Sequence, residues 1–164
     1  MGRLFPTVVR LVSISLVMGC VFFGFDTPIV GIPQANAQEC SVDIIAPKPG
    51  GKVRIDALVS GTANIAANSY LWVLAHRKGL KGWWPQGGGE ADVKEGKWEV
   101  LVTFGKPGEI GTFEVAVVVV DKQTNEDLKR WVEDAPRKNY PSFNFPNPVE
   151  GCSVKTVLVD KVGD

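Results

Sequence analysis

Three residue groupings in this sequence have types and spacing that could do chemistry. The first is the pair Cys40 and Cys152, two thiols far apart in the chain that can oxidise to one disulfide. The second is Gly82-Trp83-Trp84-Pro85-Gln86-Gly87-Gly88-Gly89, where two indoles, a side-chain amide and bare backbone adjoin. Indole offers a flat apolar platform with one donor, Gln86 offers a donor and an acceptor, and glycines let a ligand approach the main chain. Such a set suits a sugar or peptide groove. The third is His76, the one histidine, which alternation puts on the same strand face as Tyr70 and Trp72. The candidate ligand-binding set is therefore Trp83, Trp84, Gln86, Trp72 and His76.

Other chemistries find little support. The sequence has no Gly-x-Ser-x-Gly nucleophile elbow and no His-Glu-x-x-His or Cys/His metal spacing. We expect no catalytic residue, no metal ligand and no cofactor. Asp121, Asn125, Glu126 and Asp127 are rich in oxygen, but calcium takes six to eight oxygen ligands, and Asp127 already fits a helix start with Thr124 as cap. The formal net charge is zero, which argues against nucleic acid, since phosphate binding needs clustered cations.

The elements that must position these groups read from hydrophobic alternation. Val42, Ile44 and Ile45 begin the series. Val53, Ile55, Ala57 and Val59 alternate as one second strand, with Gly61 as a bulge or turn at its end. Tyr70 to His76 follows, with Leu71, Val73 and Ala75 on one face and Tyr70, Trp72, Leu74 and His76 on the other. Trp83 and Trp84 lie on a short edge strand ending at Pro85. Adjacent strand residues point to opposite faces, so one Trp at most is core. The other serves a ligand, or packs under the Pro-rich connector against Tyr140 or Phe143.

Ala91 to Lys94 reads as a weak strand and Glu95-Gly96 as a hairpin turn. Trp98, Val100, Val102 and Phe104 alternate with Glu99, Leu101 and Thr103. Phe113 to Val120 is apolar at both parities, as expected of a central strand covered on both faces. Leu128, Trp131 and Val132 share one face of a short helix, packing it onto the sheet and stopped by Pro136. Val154, Val157, Val159 and Val162 close the series. The fold class is all-β: about seven short strands with regular turns indicate a β-sandwich with one short helix insertion.

The N-terminus reads as an export signal. Arg3 and Arg10 precede an apolar run from Leu11 to Phe25, and Ala35-Asn36-Ala37 is a small-x-small cleavage site. Residues 1–37 are then a signal peptide, and 38–164 form the β-sandwich domain, secreted or periplasmic. The alternatives are an uncleaved anchor over residues 4–25, although the run is shorter than the about 20 residues a span needs, and lipidation at Cys20. Membrane contact is expected only through this segment, if it is uncleaved. Cleavage removes Cys20 and leaves Cys40 and Cys152, which in an exported chain pair as a closing staple.

The stretch Ile45-Ala46-Pro47-Lys48-Pro49-Gly50-Gly51-Lys52-Val53, followed by Val59-Ser60-Gly61-Thr62-Ala63 and a strand carrying Trp72, resembles immunoglobulin-like or fibronectin type III-like modules of bacterial exported or envelope proteins. The resemblance spans residues 42–162. It implies adhesion, ligand binding or structural spacing, with a glycan or an envelope protein as partner. The chain departs from antibody-type domains in its disulfide, whose cysteines lie near the domain ends rather than on two inner strands.

Overall fold

The structure, a computed structural model, describes residues 40–163; the signal-peptide and anchor readings of residues 1–37 lie outside the described residues. Among these, eight strands and one helix follow in the order β1 (Ser41–Ala46), β2 (Gly51–Val53), β3 (Asp56–Asn64), β4 (Tyr70–Arg77), β5 (Trp84–Pro85), β6 (Lys97–Thr103), β7 (Gly111–Val120), α1 (Lys122–Asp134) and β8 (Lys155–Lys161). They form a three-stranded sheet, β1-β3-β6, and a five-stranded sheet, β2-β8-β7-β4-β5. The β2–β8 pair is parallel and the other pairs are antiparallel. The chain is thus predominantly β with two sheets.

Alternation places the core. Val59 on β3, Val100 and Val102 on β6, Leu71 and Val73 on β4, Val115 and Val117 on β7, and Val157 and Val159 on β8 all join one buried cluster. The opposite parity of β4 and β7 is buried as well. Trp72, Leu74, Val118 and Val120 form a second cluster with Leu128 of α1, and Trp83, Phe143 and Phe145 pack against it. The helix and the connector after it therefore cover the outer face of the five-stranded sheet. This explains why β7, the middle strand of five, is apolar at both parities.

The expected single strand from Val53 to Val59 is two strands in different sheets. β2 pairs with β8, the chain crosses at Arg54-Ile55, and β3 pairs with β6. Alternation runs unbroken through the crossing because Val53 and Val59 bury into the same cluster from the two sheets. Gly61 does not end the strand either, since β3 continues to Asn64. A Cβ at Gly61 would lie 1.9 Å from the Asp43 carbonyl oxygen and 2.5 Å from the Trp98 ring, so glycine is required there for close approach. Gly61→Ala is expected to destabilise the fold by about 3 kcal/mol, read as a lowered urea midpoint. Gly89→Ala, where nothing lies within 4 Å of the added Cβ and φ is not positive, is the milder comparison in an open loop.

Ala91 to Lys94 makes only isolated bridges, Leu71 with Ala91 and Lys94 with Lys97. The Glu95-Gly96 turn is present: Lys94 and Lys97 exchange both backbone hydrogen bonds at 2.9 Å, and both turn residues have positive φ, 50° and 73°, as a two-residue hairpin turn of the primed type needs. Helix α1 is capped by Asp121 rather than Thr124. The Thr124 backbone N–H donates to Asp121 Oδ1 at 2.8 Å, and this bond holds the Asp121 carboxyl below the usual carboxylate range. Val162 falls outside β8 and is exposed; the last inward position belongs to Lys161, whose Nζ donates to the Lys106 carbonyl at 2.6 Å.

Cys40 and Cys152 are bonded, with Cα atoms 5.0 Å apart across a sequence separation of 112. The bridge joins the residue ahead of β1, in the smaller sheet, to the segment leading into β8, in the larger one.

Candidate functional site

Where β4 ends, the chain turns through Leu80 and returns as β5, the edge of the five-stranded sheet. Gln86 then crosses toward the other sheet. Its backbone N–H donates to the Val73 carbonyl, its Nε2 donates to the Trp84 carbonyl at 2.9 Å, and its Oε1 accepts from the Thr103 backbone N–H at 3.0 Å. One side chain thus ties β5 to the end of β6. Each end of the Gln86 amide makes one hydrogen bond to the main chain, and the side chain lines the groove described below. Gly87 is also constrained, since a Cβ there would lie 2.6 Å from a Val100 methyl.

The two adjacent indoles part as alternation requires. Trp83 stacks on His76 with ring centroids 3.9 Å apart, meets Phe145 edge-on at 5.0 Å, and exchanges backbone hydrogen bonds of 2.8 and 2.7 Å with Phe143. It packs beneath the connector. Trp84 turns the other way, and its Nε1 donates to the Tyr140 carbonyl at 2.9 Å.

On that side lies an open groove of about 1260 Å³, large enough for several sugar rings or peptide residues. Trp84, Trp131 and Tyr140 supply its aromatic surface, and Leu80 and Leu101 its aliphatic surface. Trp131 Nε1 donates to the Pro141 carbonyl at 3.0 Å. Both indole donors are thus fixed to the connector, and what the rings can give a ligand is their faces. Two charged groups of the groove, Arg77 and Glu109, are engaged with each other. Arg77 Nη1 donates to Glu109 Oε1 at 2.9 Å, and the Lys106 backbone N–H donates to Glu109 Oε2 at 3.1 Å. At the helix end, Lys138 and Arg137 hold the Asp134 carboxyl below its usual range and brace the turn into the connector.

The five sequence-predicted residues do not converge. Trp84, Gln86 and His76 line the groove. Trp83 sits behind His76. Trp72 is 0% exposed in the second cluster, where its Nε1 donates to Asn125 Oδ1 at 2.8 Å; a ring so placed has no surface for a ligand, which removes it from the set. His76 has a neighbour that the sequence hid: its Nε2 lies 3.2 Å from Glu114 Oε2, on the register partner in β7. Trp131, expected to pack α1 onto the sheet, lines the groove instead, and Leu128 and Val132 do the packing.

The oxygen-rich loop does not gather a cation site. Asp121 caps the helix, Asn125 is buried against Trp72, and Asp127 pairs with Arg130. A smaller cleft of about 650 Å³ beside Tyr70 and Leu71 has its lining carboxylates Glu90 and Asp92 already paired with Lys129 and Lys94.

Sequence reasoning missed Trp131, Tyr140 and Lys106 as groove residues. Tyr140 carried the one available signal, an Asn-Tyr pair inside a Pro-rich connector. Among the described residues, no helix is long and apolar enough to cross a membrane. Compared with protein-family models and with curated proteins, the chain matches none, so the functional reading rests on the chemistry of this groove.

Proposed function

We propose that the protein is an exported, non-catalytic binding module of the cell envelope, an immunoglobulin-like β-sandwich that holds a glycan or a peptide in the groove between β5, the end of β6 and the last turn of α1. One observation carries the reading: Trp84, Trp131 and Tyr140 line one open groove while both indole donors are tethered to the connector backbone. Rigid aromatic faces give a large contact area at low entropic cost. The ion-paired Arg77 and Glu109 act as scaffold rather than as acid and base. Export is supported by the N-terminal signature and by a disulfide, which persists in oxidising compartments.

The test is titration of the protein with a panel of oligosaccharides and peptides, followed by tryptophan fluorescence. Trp84→Ala is expected to weaken binding by roughly tenfold or more while the fold is kept. Trp83→Ala is expected to act on stability, since it empties a packed site. If Trp84→Ala and Trp131→Ala both bind like the parent, the groove is not the site.

A second reading, a structural or protein-interaction domain of the envelope, draws on Leu58 and Leu101. These two residues are register partners on β3 and β6, and they are 55% and 54% exposed. On that reading, cross-links to an envelope protein fall on this pair, and no small ligand shifts the fluorescence.

A further inference from the structure

The two sheets have four edge strands, and three of them are blunted against pairing with another chain. β5 has two residues and ends in Pro85, and β2 has three residues. β1 is bulged between Ile44 and Ala46, and the Asp43 carboxylate accepts from the Ile44 N–H at 2.9 Å. Short length, proline and bulges are how natural edges avoid taking on a further strand. β6 is the exception. It has seven residues, no proline and an unbroken register with β3 from Thr103 to Lys97.

The outward groups of β6 follow from that register. The Phe104 N–H donates to the Ile55 carbonyl, so Trp98, Val100, Val102 and Phe104 bond toward β3, and Lys97, Glu99, Leu101 and Thr103 point away from it. Both ends of the outward row are closed. Lys97 exchanges bonds with Lys94, and the Thr103 N–H donates to Gln86 Oε1, an amide standing where the peptide of a next strand would be. Between them, among the described residues, no hydrogen bond reaches the outward N–H or C=O of Glu99 or Leu101. The loop that follows Gln86 starts on the core side of this edge, with Gly87 against the inward Val100 methyl. Glu99 and Leu101 are exposed, and Leu101 adjoins Leu58 on the outer face.

Two donors and two acceptors on residues two apart match two hydrogen-bonded pairs of an antiparallel ladder. A peptide main chain carries N–H and C=O groups at that repeat, and a glycan does not. In strand addition the main-chain bonds give affinity and alternate side chains give specificity. Here the exposed leucine pair favours an apolar side chain across from Leu101. A second copy of this chain fits worse. A two-fold pairing centred on Glu99 or Val100 sets Glu99 opposite or diagonal to its own copy, where like charges repel. Centred on Leu101, it sets Glu99 opposite Thr103, whose N–H Gln86 already holds.

Resting on the second reading, in which the Leu58–Leu101 face is a contact surface, we infer that β6 takes up one extended strand of a partner protein, antiparallel, bonded to the main chain of Glu99 and Leu101 and carrying an apolar side chain beside Leu101.

The experiment titrates the full chain, followed by backbone amide NMR and hydrogen exchange, with the end-capped peptide Thr-Thr-Val-Thr-Lys-Thr-Thr and two N-methylated forms. One form is methylated at Val and Lys, whose N–H groups face β6 when Val lies opposite Leu101. The other is methylated at the central Thr, whose N–H faces away. The unmethylated peptide and the Thr-methylated form are expected to slow exchange of the Glu99 and Leu101 amides. The doubly methylated form should bind roughly tenfold more weakly, or worse. Leu101→Thr, which keeps the N–H, should weaken binding only several-fold. Equal binding of all three forms at Leu101 overturns strand addition and leaves the face as a contact surface. Slowing of the two amides as protein concentration rises, with no peptide present, places a second copy on the edge and overturns the partner strand. No change at Glu99 or Leu101 with any peptide, including one that moves only the Trp84 and Trp131 indoles, contradicts the inference, while cross-linking still tests the second reading.

Discussion

Replacing both bridged cysteines, as Cys40→Ser with Cys152→Ser, is expected to lower the unfolding free energy by about 4–5 kcal/mol. The bond closes a loop with a sequence separation of 112, and on the chain-entropy account a loop of that length strongly restricts the unfolded ensemble. The effect on the native side is also specific. β1 is held in the three-stranded sheet by β3 alone, at the sheet edge, and Cys40 ties its start to the segment entering β8 of the other sheet. Domains of this size are stable by only about 5–15 kcal/mol, so the serine variant should lose a large part of its margin. With a urea slope of about 2 kcal/mol/M, the midpoint should fall by roughly 2 M. A midpoint that barely moves would mean that the bridge decorates a fold already closed by its sheets.

The second large effect is expected at Trp72. Trp72→Ala should destabilise by about 4–8 kcal/mol, from two causes that can be separated. Removing a fully buried indole from the cluster of Leu74, Val118, Val120 and Leu128 leaves a cavity under α1, which alone costs about 3–5 kcal/mol. The indole N–H also satisfies Asn125 Oδ1, and Asn125 is 0% exposed with its Nδ2 already without a partner. Losing the indole strands the whole amide, for about 1–3 kcal/mol more. Trp72→Phe isolates the second cause, because the ring persists and the donor goes. Adding Asn125→Leu to Trp72→Phe should then recover part of the loss, since replacing both partners by apolar groups removes the unsatisfied amide. Chemical denaturation of the three variants gives the comparison. If Asn125→Leu deepens the loss, the amide is not what the indole satisfies.

These two sites show what was legible in the sequence. The face assignment of β4 was readable because Leu71, Val73 and Ala75 share one parity and Trp72 and Leu74 the other, and the two sets enter two different clusters. The Glu95-Gly96 turn was readable because its residue types match the backbone it needs. The crossing at Arg54-Ile55 was not, because a strand that changes sheets around a shared core keeps its parity. The exclusion of Trp72 from the surface was hidden because its cover, α1, lies in a different part of the chain.

The candidate site was half legible. Two adjacent tryptophans must diverge, and they do. Which of them faces the groove is decided by a residue 56 positions away, where Trp84 donates to the Tyr140 carbonyl. Periodicity carries no information about a connector that folds back over a sheet. It also cannot show that Gln86 reaches Thr103, which lies in the opposite sheet.

The central claim is that Trp84 and Trp131 face one ligand. The most direct measurement is nitrogen-edited NMR of the indole N–H signals of all five tryptophans, assigned by single Trp→Phe substitutions, during titration with the panel of oligosaccharides and peptides. A ligand is predicted to move the Trp84 and Trp131 signals together. Those of Trp72, bonded to Asn125 in the core, and Trp98, bonded to the Thr62 carbonyl, should stay fixed. A ligand that moves Trp72 or Trp98 and leaves Trp84 and Trp131 in place, or a panel in which nothing moves them, would contradict the account.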